Sequence, residues 1–321
     1  MKRLFFVAGE SSGDMHGAGL IRALRSQEPE LICEGLGGHL MEAEGMALRH
    51  DLASDAIMGF TEVVKHLLPI RRLLLDTVEH LRQTRPAALV LIDYPGFNIR
   101  LAKRAHALGI PVLYYISPQV WAWKKGRIHT LARCVSKMLV IFPFEEVLYR
   151  KVGLDCRFVG HPLLDHVAAH QRTRDGDGPM IIGLFPGSRA QEIERLLGPM
   201  LATARSILER YPEARFATPV VNERRADLVR ALAGNFPLDI RVGGMYDVLN
   251  AARFCLVASG TATLETALFG VPLVIVYRVT PLTFWLARWL VDIEHIGIVN
   301  ILAGRRIIPE FIQHDAVAEK I

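Results

Sequence analysis

The chain has 321 residues, 51% of them hydrophobic, and a formal net charge of +5. That much apolar material suffices for two α/β domains with separate cores and excludes disorder as the dominant state. The basic excess, gathered at Lys65, His66, Arg71 and Arg72 and at Lys124, Lys125, Arg127 and Arg133, does not choose among nucleic acid, anionic lipid, phosphorylated substrate and solvated helix faces.

Met1-Lys2-Arg3 leads straight into LFFVA and a glycine turn, which reads as a first buried strand rather than a signal peptide. Short runs rich in Val, Ile, Leu and Phe then alternate with helix-period segments, the pattern of parallel strands joined by crossover helices. Strands are predicted at 4–8, 32–36, 88–92, 112–116, 137–141 and 156–159. The polar, glycine-bearing QRTRDGDGP at 171–179 has no apolar face and reads as a linker. Beyond it the plan repeats, with strands predicted at 180–185, 215–219, 238–242, 254–258 and 273–277. The expected organisation is a doubly wound domain over 1–165, a linker over 166–179 and a second doubly wound domain over 180–321, with the carboxyl ends of both sheets lining one cleft. No run reaches the roughly 18 uncharged apolar residues of a spanning helix. Cys33, Cys134, Cys156 and Cys255 stand singly in or beside apolar stretches, without CxxC spacing, and read as buried free thiols in a reducing compartment.

Three glycine-rich turns follow strands. The first, VAGESSGD at 7–14, lacks both the dinucleotide fingerprint and the P-loop ending, and Glu10 and Asp14 make it a poor phosphate cradle. Its carboxylates suit sugar hydroxyls or, equally, a helix cap. Asp93 ends the apolar run at 88–92 and precedes YPGFN; a carboxylate there is either functional or a turn-forming cap. Trp121 and Trp123, beside Lys124, Lys125 and Arg127, can stack on sugars, enter a lipid interface or simply pack under loops; no nucleic-acid motif accompanies them. In the second half, Gly187-Ser188-Arg189 joins a flexible turn to a hydroxyl and a guanidinium suited to phosphate oxygens. Ser259-Gly260-Thr261-Ala262-Thr263 opens a helix whose terminus suits a diphosphate while Glu265 accepts from ribose hydroxyls; an ordinary helix capped by Thr261 is the alternative.

VAGESSGDMHGAG (7–19), IDYPGFN (92–98), YISPQVWAW (115–123), FVGHP (158–162), PGSR (186–189), ASGTATLE (258–265), YRVTPLTFW (277–285) and NILAG (300–304) together resemble the lipid-A-disaccharide synthase family, in the right order and over nearly the whole chain. The resemblance implies a GT-B glycosyltransferase that moves 2,3-diacylglucosamine from UDP-2,3-diacylglucosamine to the 6-hydroxyl of 2,3-diacylglucosamine 1-phosphate. The product is a β-1,6 disaccharide, and UDP is released. It further implies Asp93 and Glu10 as the catalytic carboxylates, and Ser188, Arg189, Gly260, Thr261, Thr263, Glu265 and Asn300 as the UDP-sugar site. No cofactor is implied, and no His, Asp or Glu cluster has metal spacing.

Acylated substrates imply work at the inner-membrane surface, peripheral on its cytoplasmic face, with no nucleic-acid partner and a homodimer left open. Leu67, Leu68, Ile70, Arg71, Arg72 and Leu74 are the candidate lipid contact, an amphipathic stretch that can equally pack its apolar face into the core. Phe284, Trp285, Trp289 and Leu290 form a second candidate. Another UDP-sugar enzyme of this fold, such as a cell-wall N-acetylglucosaminyltransferase or a UDP-N-acetylglucosamine 2-epimerase, would keep the second-half motifs but not IDYPGFN and SPQVWAW. A non-catalytic UDP- or membrane-binding protein would release no UDP. The family continues for several dozen residues, so the chain is expected to lack its final C-terminal segment, ending within a helix-like stretch at 315–321.

Overall fold

A computed structural model describes residues 2–55, 63–122, 126–172, 178–281, 284–285, 289 and 294–321. Trp123, Lys124, Lys125, Leu290 and linker positions 173–177 lie outside the described residues, as do the side chains of Lys65, His66 and Leu67. The chain divides into two compact units, Met1–Pro162 and Leu163–Ile321.

The first unit holds strands β1 (Arg3–Ala8), β2 (Ile32–Gly37), β3 (Ala47–Asp51), β4 (Ala88–Ile92), β5 (Val112–Tyr115), β6 (Lys137–Val140) and β7 (Cys156–Phe158). Its helices are α1 (Ser11–Gln27), α2 (His39–Ala43), α3 (Leu52–Asp55), α4 (Val63–Thr84), α5 (Pro95–Ala107), α6 (Arg127–Cys134) and α7 (Pro143–Arg150). The strands form one sheet in the order β3-β2-β1-β4-β5-β6-β7, every pairing parallel. A parallel sheet is covered on both faces, so its central strands need unbroken apolar sequence. Ala88-Leu89-Val90-Leu91-Ile92 supplies it and is buried throughout. Phe5, Leu89 and Leu91 are fully buried, each worth about 1.5–3 kcal/mol relative to exposure.

The second unit begins with α8 (Leu163–His170) and continues through β8 (Ile181–Phe185), α9 (Ala190–Arg210), β9 (Arg215–Val220), α10 (Glu223–Ala233), β10 (Leu238–Val242), α11 (Met245–Ala251), β11 (Ala252–Ala258), α12 (Thr261–Leu268), β12 (Leu273–Tyr277), α13 (Ile298–Ala303) and β13 (Glu310–Ile312). Its parallel sheet runs β10-β9-β8-β11-β12-β13. Residues 166–170, read as linker, are the end of α8, and Val167 is buried with Phe185, Val248 and Phe269 in this unit's core. The Gln171 side chain adds a bond to the Phe269 carbonyl at 3.4 Å.

The doubly wound expectation holds for both sheets. All eleven predicted strands form, but β3 and β13 were not foreseen: β3 is a largely solvent-facing ALRHD and β13 only three residues long. Both are sheet-edge strands, where partial exposure removes the apolar signal. The stretch 315–321 is not a helix; a 3-10 turn, Gln313–Asp315, is followed by turns in which Ile321 N–H reaches the Val317 carbonyl at 3.1 Å.

Each sheet reverses its winding once, between β1 and β4 in the first and between β8 and β11 in the second. Open parallel sheets form a crevice outside the carboxyl ends of the two strands at such a reversal. Glu10 and Asp93 leave the ends of β1 and β4, while PGSR and SGT leave the ends of β8 and β11.

Candidate functional site

In the first unit β1 pairs with β4 as far as Ala8 and Ile92, which sets Gly9-Glu10 beside Asp93-Tyr94. Asp93 and Tyr94 both have left-handed backbones, φ +44° and +47°. Such conformations cost about 1–3 kcal/mol each in non-glycine residues and persist only where surrounding structure enforces them. The enforcement is visible. The Asp93 carbonyl accepts from Tyr114 Oη at 2.7 Å and Asn98 Nδ2 at 2.8 Å, and its N–H donates to the Tyr115 carbonyl at 3.2 Å. With its backbone so engaged, the half-buried carboxyl is pushed up to about 7. Burial is the main cause, the Glu10 charge adds to it, the Tyr94 N–H opposes it and the Glu145 charge adds a little more. A carboxylate poised near neutrality fits a general base, and it marks a functional site more often than a turn.

Glu10 holds the N-cap position of α1 without capping it by its side chain. Asp14 does not join it. The Asp14 carboxylate is buried and accepts from the N–H groups of Gly38 at 2.9 Å, Leu40 at 3.1 Å and Met41 at 3.1 Å, capping α2 instead of meeting a sugar. On the neighbouring strand, Ile116 is also left-handed at φ +62°, and the chain turns there into Ser117-Pro118-Gln119-Val120-Trp121. Trp121 is half-buried, edge-on to Phe144 at 5.4 Å. Its Nε1 donates to Glu145 Oε1 at 3.2 Å, a partner with no prominence in the sequence beyond its place three residues after the N-cap Phe142 of α7.

In the second unit Gly187 takes φ +108°, and a side chain there would strike Glu192, whose Oε2 accepts the Arg189 N–H at 3.2 Å. Arg189 is exposed at the N-cap of α9, its Nη1 3.5 Å from Glu192 Oε1. Partly buried Arg225, not foreseen, donates through Nε to the Ser188 carbonyl at 3.3 Å, adding a second guanidinium to this turn. Ser188, Gly260 and Thr261 are exposed. The N-cap of α12 is Gly260, not Thr261, and no side chain caps the helix. Glu265 is buried one turn on and accepts from Tyr246 Oη at 3.0 Å; burial raises its carboxyl and the Tyr246 bond opposes that. The Tyr246 ring stacks on Phe269 at 5.3 Å.

Two of the expected ligand contacts, Asn300 and Thr263, are buried in internal hydrogen bonds. Asn300 is fully buried and its amide is spent internally: Nδ2 donates to the Ile308 carbonyl and Glu310 Oε1, both at 2.8 Å, and Oδ1 accepts from Ile307 and Ile308 N–H, both at 2.9 Å. Four bonds fill what an amide side chain offers, and through them Asn300 ties the turn at 307–310 to its helix. Glu310 extends the network, accepting from Ile296 N–H at 3.1 Å and Gly297 N–H at 2.9 Å, and Ser259 Oγ donates to the Ile296 carbonyl at 3.1 Å. Thr263 is likewise buried, its hydroxyl donating to the Gly260 carbonyl at 2.7 Å, which holds the turn.

The candidate lipid contact also divides. Leu68 is 75% exposed and Arg71, Arg72 and Leu75 are exposed with it, whereas Leu74 is 4% exposed and Ile70 packs against the first unit's core. Helical geometry explains this, because residues three to four apart share a face and Leu74 lies on Ile70's. Trp285 and Trp289 are 75% and 80% exposed. No helix among the described residues is long and apolar enough to cross a membrane. Nor does any group of three His, Cys, Asp or Glu among them gather as a metal would require.

A family model described as Lipid-A-disaccharide synthetase matches residues 4–321. A lipid-A-disaccharide synthase of Geobacter sulfurreducens is 42% identical over 99% of this chain and 85% of its own length. One from Syntrophus aciditrophicus is 43% identical over 100% of the chain and 86% of its own. Lipid-A-disaccharide synthase 1 of Legionella pneumophila is 40% identical, covering 98% and 85%. Among solved structures, a UDP-GlcNAc 2-epimerase from Methanocaldococcus jannaschii in complex with UDP-GlcNAc and UDP superposes with a TM-score of 0.64 at 14% identity, covering 99% of this chain and 90% of that one. The glycotransferase of kitacinnamycin gives 0.65 at 13%, covering 99% and 88%. At such identities these two speak for the fold, which is of the expected GT-B type.

Proposed function

The chain belongs to the lipid-A-disaccharide synthetase family, and from that premise we propose that it transfers 2,3-diacylglucosamine from UDP-2,3-diacylglucosamine to the 6-hydroxyl of 2,3-diacylglucosamine 1-phosphate. The acceptor oxygen forms a bond to the anomeric carbon from the face opposite the nucleotide, its proton passes to the Asp93 carboxylate, and the bond to UDP breaks with its electron pair leaving on the diphosphate. Inversion gives the β-1,6 product. The observation that carries this reading is the pairing of motif and reversal point: Glu10 with Asp93 in one sheet, PGSR with SGT in the other.

Asp93 is the base, because its carboxyl sits near 7 and is half-ionised at neutral pH, where proton acceptance and ionised fraction are best balanced. Glu10 keeps it there by like charge and receives acceptor hydroxyls. Arg189, with Arg225 beside it, neutralises the departing diphosphate together with the open N-terminus of α12 at Gly260 and Thr261. Ser188 contributes a hydroxyl at the same turn, and Glu265 accepts from the ribose.

The lipid tails place the work at a bilayer surface, with the protein peripheral on the cytoplasmic face of the inner membrane. Leu68 and Leu75 enter the interface while Arg71 and Arg72 meet anionic headgroups. Incubation with both acylated substrates, followed by mass analysis of the lipid and assay of released UDP, tests the reading. One equivalent each of disaccharide 1-phosphate and UDP is expected, and a protein that binds UDP yet makes no disaccharide refutes it.

A further inference from the structure

Glu145 has no part in the chemistry described so far, yet its setting is unusual. It is 1% exposed, and a carboxylate so buried is costly unless its oxygens are occupied. Here they are. Oε1 accepts from Ser117 Oγ at 2.6 Å and from Trp121 Nε1 at 3.2 Å, and Oε2 accepts from the Phe142 N–H at 3.3 Å. Two of these three donors belong to the turn after β5, and the third is the N-cap of Glu145's own helix.

That turn needs holding. It opens at Ile116, a β-branched residue at φ +62°, and Tyr149 of the same helix ties it further, through Oη to the Pro118 carbonyl at 3.4 Å and to the Ser117 side chain. It also starts where Asp93 is fixed, since β5 lies beside β4 and the Tyr115 carbonyl accepts the Asp93 N–H. β6, which leads into α7, is the next strand over. Asp93, the Ser117–Trp121 turn and Glu145 thus follow three consecutive strands at one sheet edge.

We propose that Glu145 is a positioning residue for the transfer: its buried carboxylate clamps the Ser117–Trp121 turn against the Asp93 site, so that Trp121 forms a fixed wall for the acceptor sugar. The proposal rests on the function given above. Among the described residues, the charged and titratable groups around the clamp include Asp93 after β4, Tyr149 on its own helix, Cys156 from β7 and His161 against the Phe142 ring, while Glu10 and Tyr114 face Asp93 and Arg127 acts on Tyr114. Burial pushes Glu145 up to about 7, the Ser117, Trp121 and Phe142 donors working against it, and its charge is one of the causes that raise Asp93.

The test compares parent, Glu145→Ala, Glu145→Gln and Trp121→Phe by melting temperature, UDP affinity and the pH dependence of kcat and KM for the acceptor. Glu145→Ala should lower kcat/KM for the acceptor at least tenfold with UDP affinity unchanged. Glu145→Gln keeps an oxygen for Ser117 and Trp121, so it should recover most of that loss. Because it removes a negative charge near Asp93, it should also move the acidic limb of the rate profile to lower pH, which mere loss of packing does not do. Trp121→Phe, combined with Glu145→Ala, should cost little beyond Glu145→Ala alone, the two being one device. Parental acceptor kinetics in a folded Glu145→Ala or, should the alanine variant not fold, parental acceptor kinetics in Trp121→Phe together with an unmoved acidic limb in Glu145→Gln, overturn the proposal while the transferase reading stands. A parent that makes no disaccharide overturns both.

Discussion

The two sheet reversals carry opposite kinds of chemistry. At the first, between β1 and β4, Glu10 stands beside Asp93, whose backbone is left-handed; Asp93 and, two strands over, Glu145 are both pushed up to about 7. At the second, between β8 and β11, the exposed Arg189 guanidinium, partly buried Arg225 and an open helix terminus face outward, while the polar side chains behind them are spent on one another. Burial and like charge make a group hold or surrender a proton near neutrality, whereas exposure and fixed positive charge make a seat for an anion. On the proposed reading, one half suits proton transfer and the other suits a diphosphate.

The sharpest way to break that contrast is Asp93→Asn. Turnover should fall by about a thousandfold, roughly 4 kcal/mol of barrier, with UDP affinity near parental by calorimetry. The same variant has a second signature. Asp93 and Glu145 have folded values near 7 against ordinary values of 3.8 and 4.5, so their contribution to stability is full below about pH 4 and lost as pH rises through 7. At pH 8 the asparagine variant should consequently melt above the parent; a lower melting temperature would contradict the burial of that charge. Parental activity should itself decline as pH falls below about 7, as the base takes up its proton.

Next in size is Asn300→Ala, expected to cost about 2 kcal/mol of stability by leaving the Ile307 and Ile308 N–H groups and Glu310 short of a partner. A variant that keeps parental melting and loses only UDP affinity would restore Asn300 as a ligand contact. Arg189→Ala and Glu265→Ala should each weaken UDP about tenfold, roughly 1.4 kcal/mol, without moving the acid limb of the rate profile. The smallest effect separates two leucines of one helix. Leu68→Ser should reduce binding to anionic vesicles a few-fold with melting unchanged, while Leu74→Ser should act on melting and not on vesicle binding. The reverse pattern would turn that helix over.

Much of this was legible in the sequence, for reasons that differ by element. The run ALVLI declares a buried parallel strand because both of its faces are covered, and Asp93 stands out by ending it. β3 and β13 were silent because an edge strand needs no such run. Glu145 was silent for another reason: a glutamate three residues into a helix looks like an ordinary capping residue, and only the fold brings Ser117 and Trp121 to it. Asn300 stands out only by its family match: its partners are backbone groups of Ile307 and Ile308 and the Glu310 side chain, seven to ten residues on, and no local pattern announces that its amide is spent on them. Which face of the helix Leu74 takes was left open, because a stretch of leucines around paired arginines does not say which leucines turn inward.

Gly9 sits between Glu10 and the end of β1, and any side chain there would run into the Tyr94 ring. The aromatic face thus lies on bare backbone, a steric fuse between the two carboxylate-bearing turns. A single added methyl would have to swing Tyr94 aside and, through the left-handed dipeptide, drag the proton acceptor with it. An inactive yet folded Gly9→Ala protein would mean that this enzyme's aim depends on an atom it does not have.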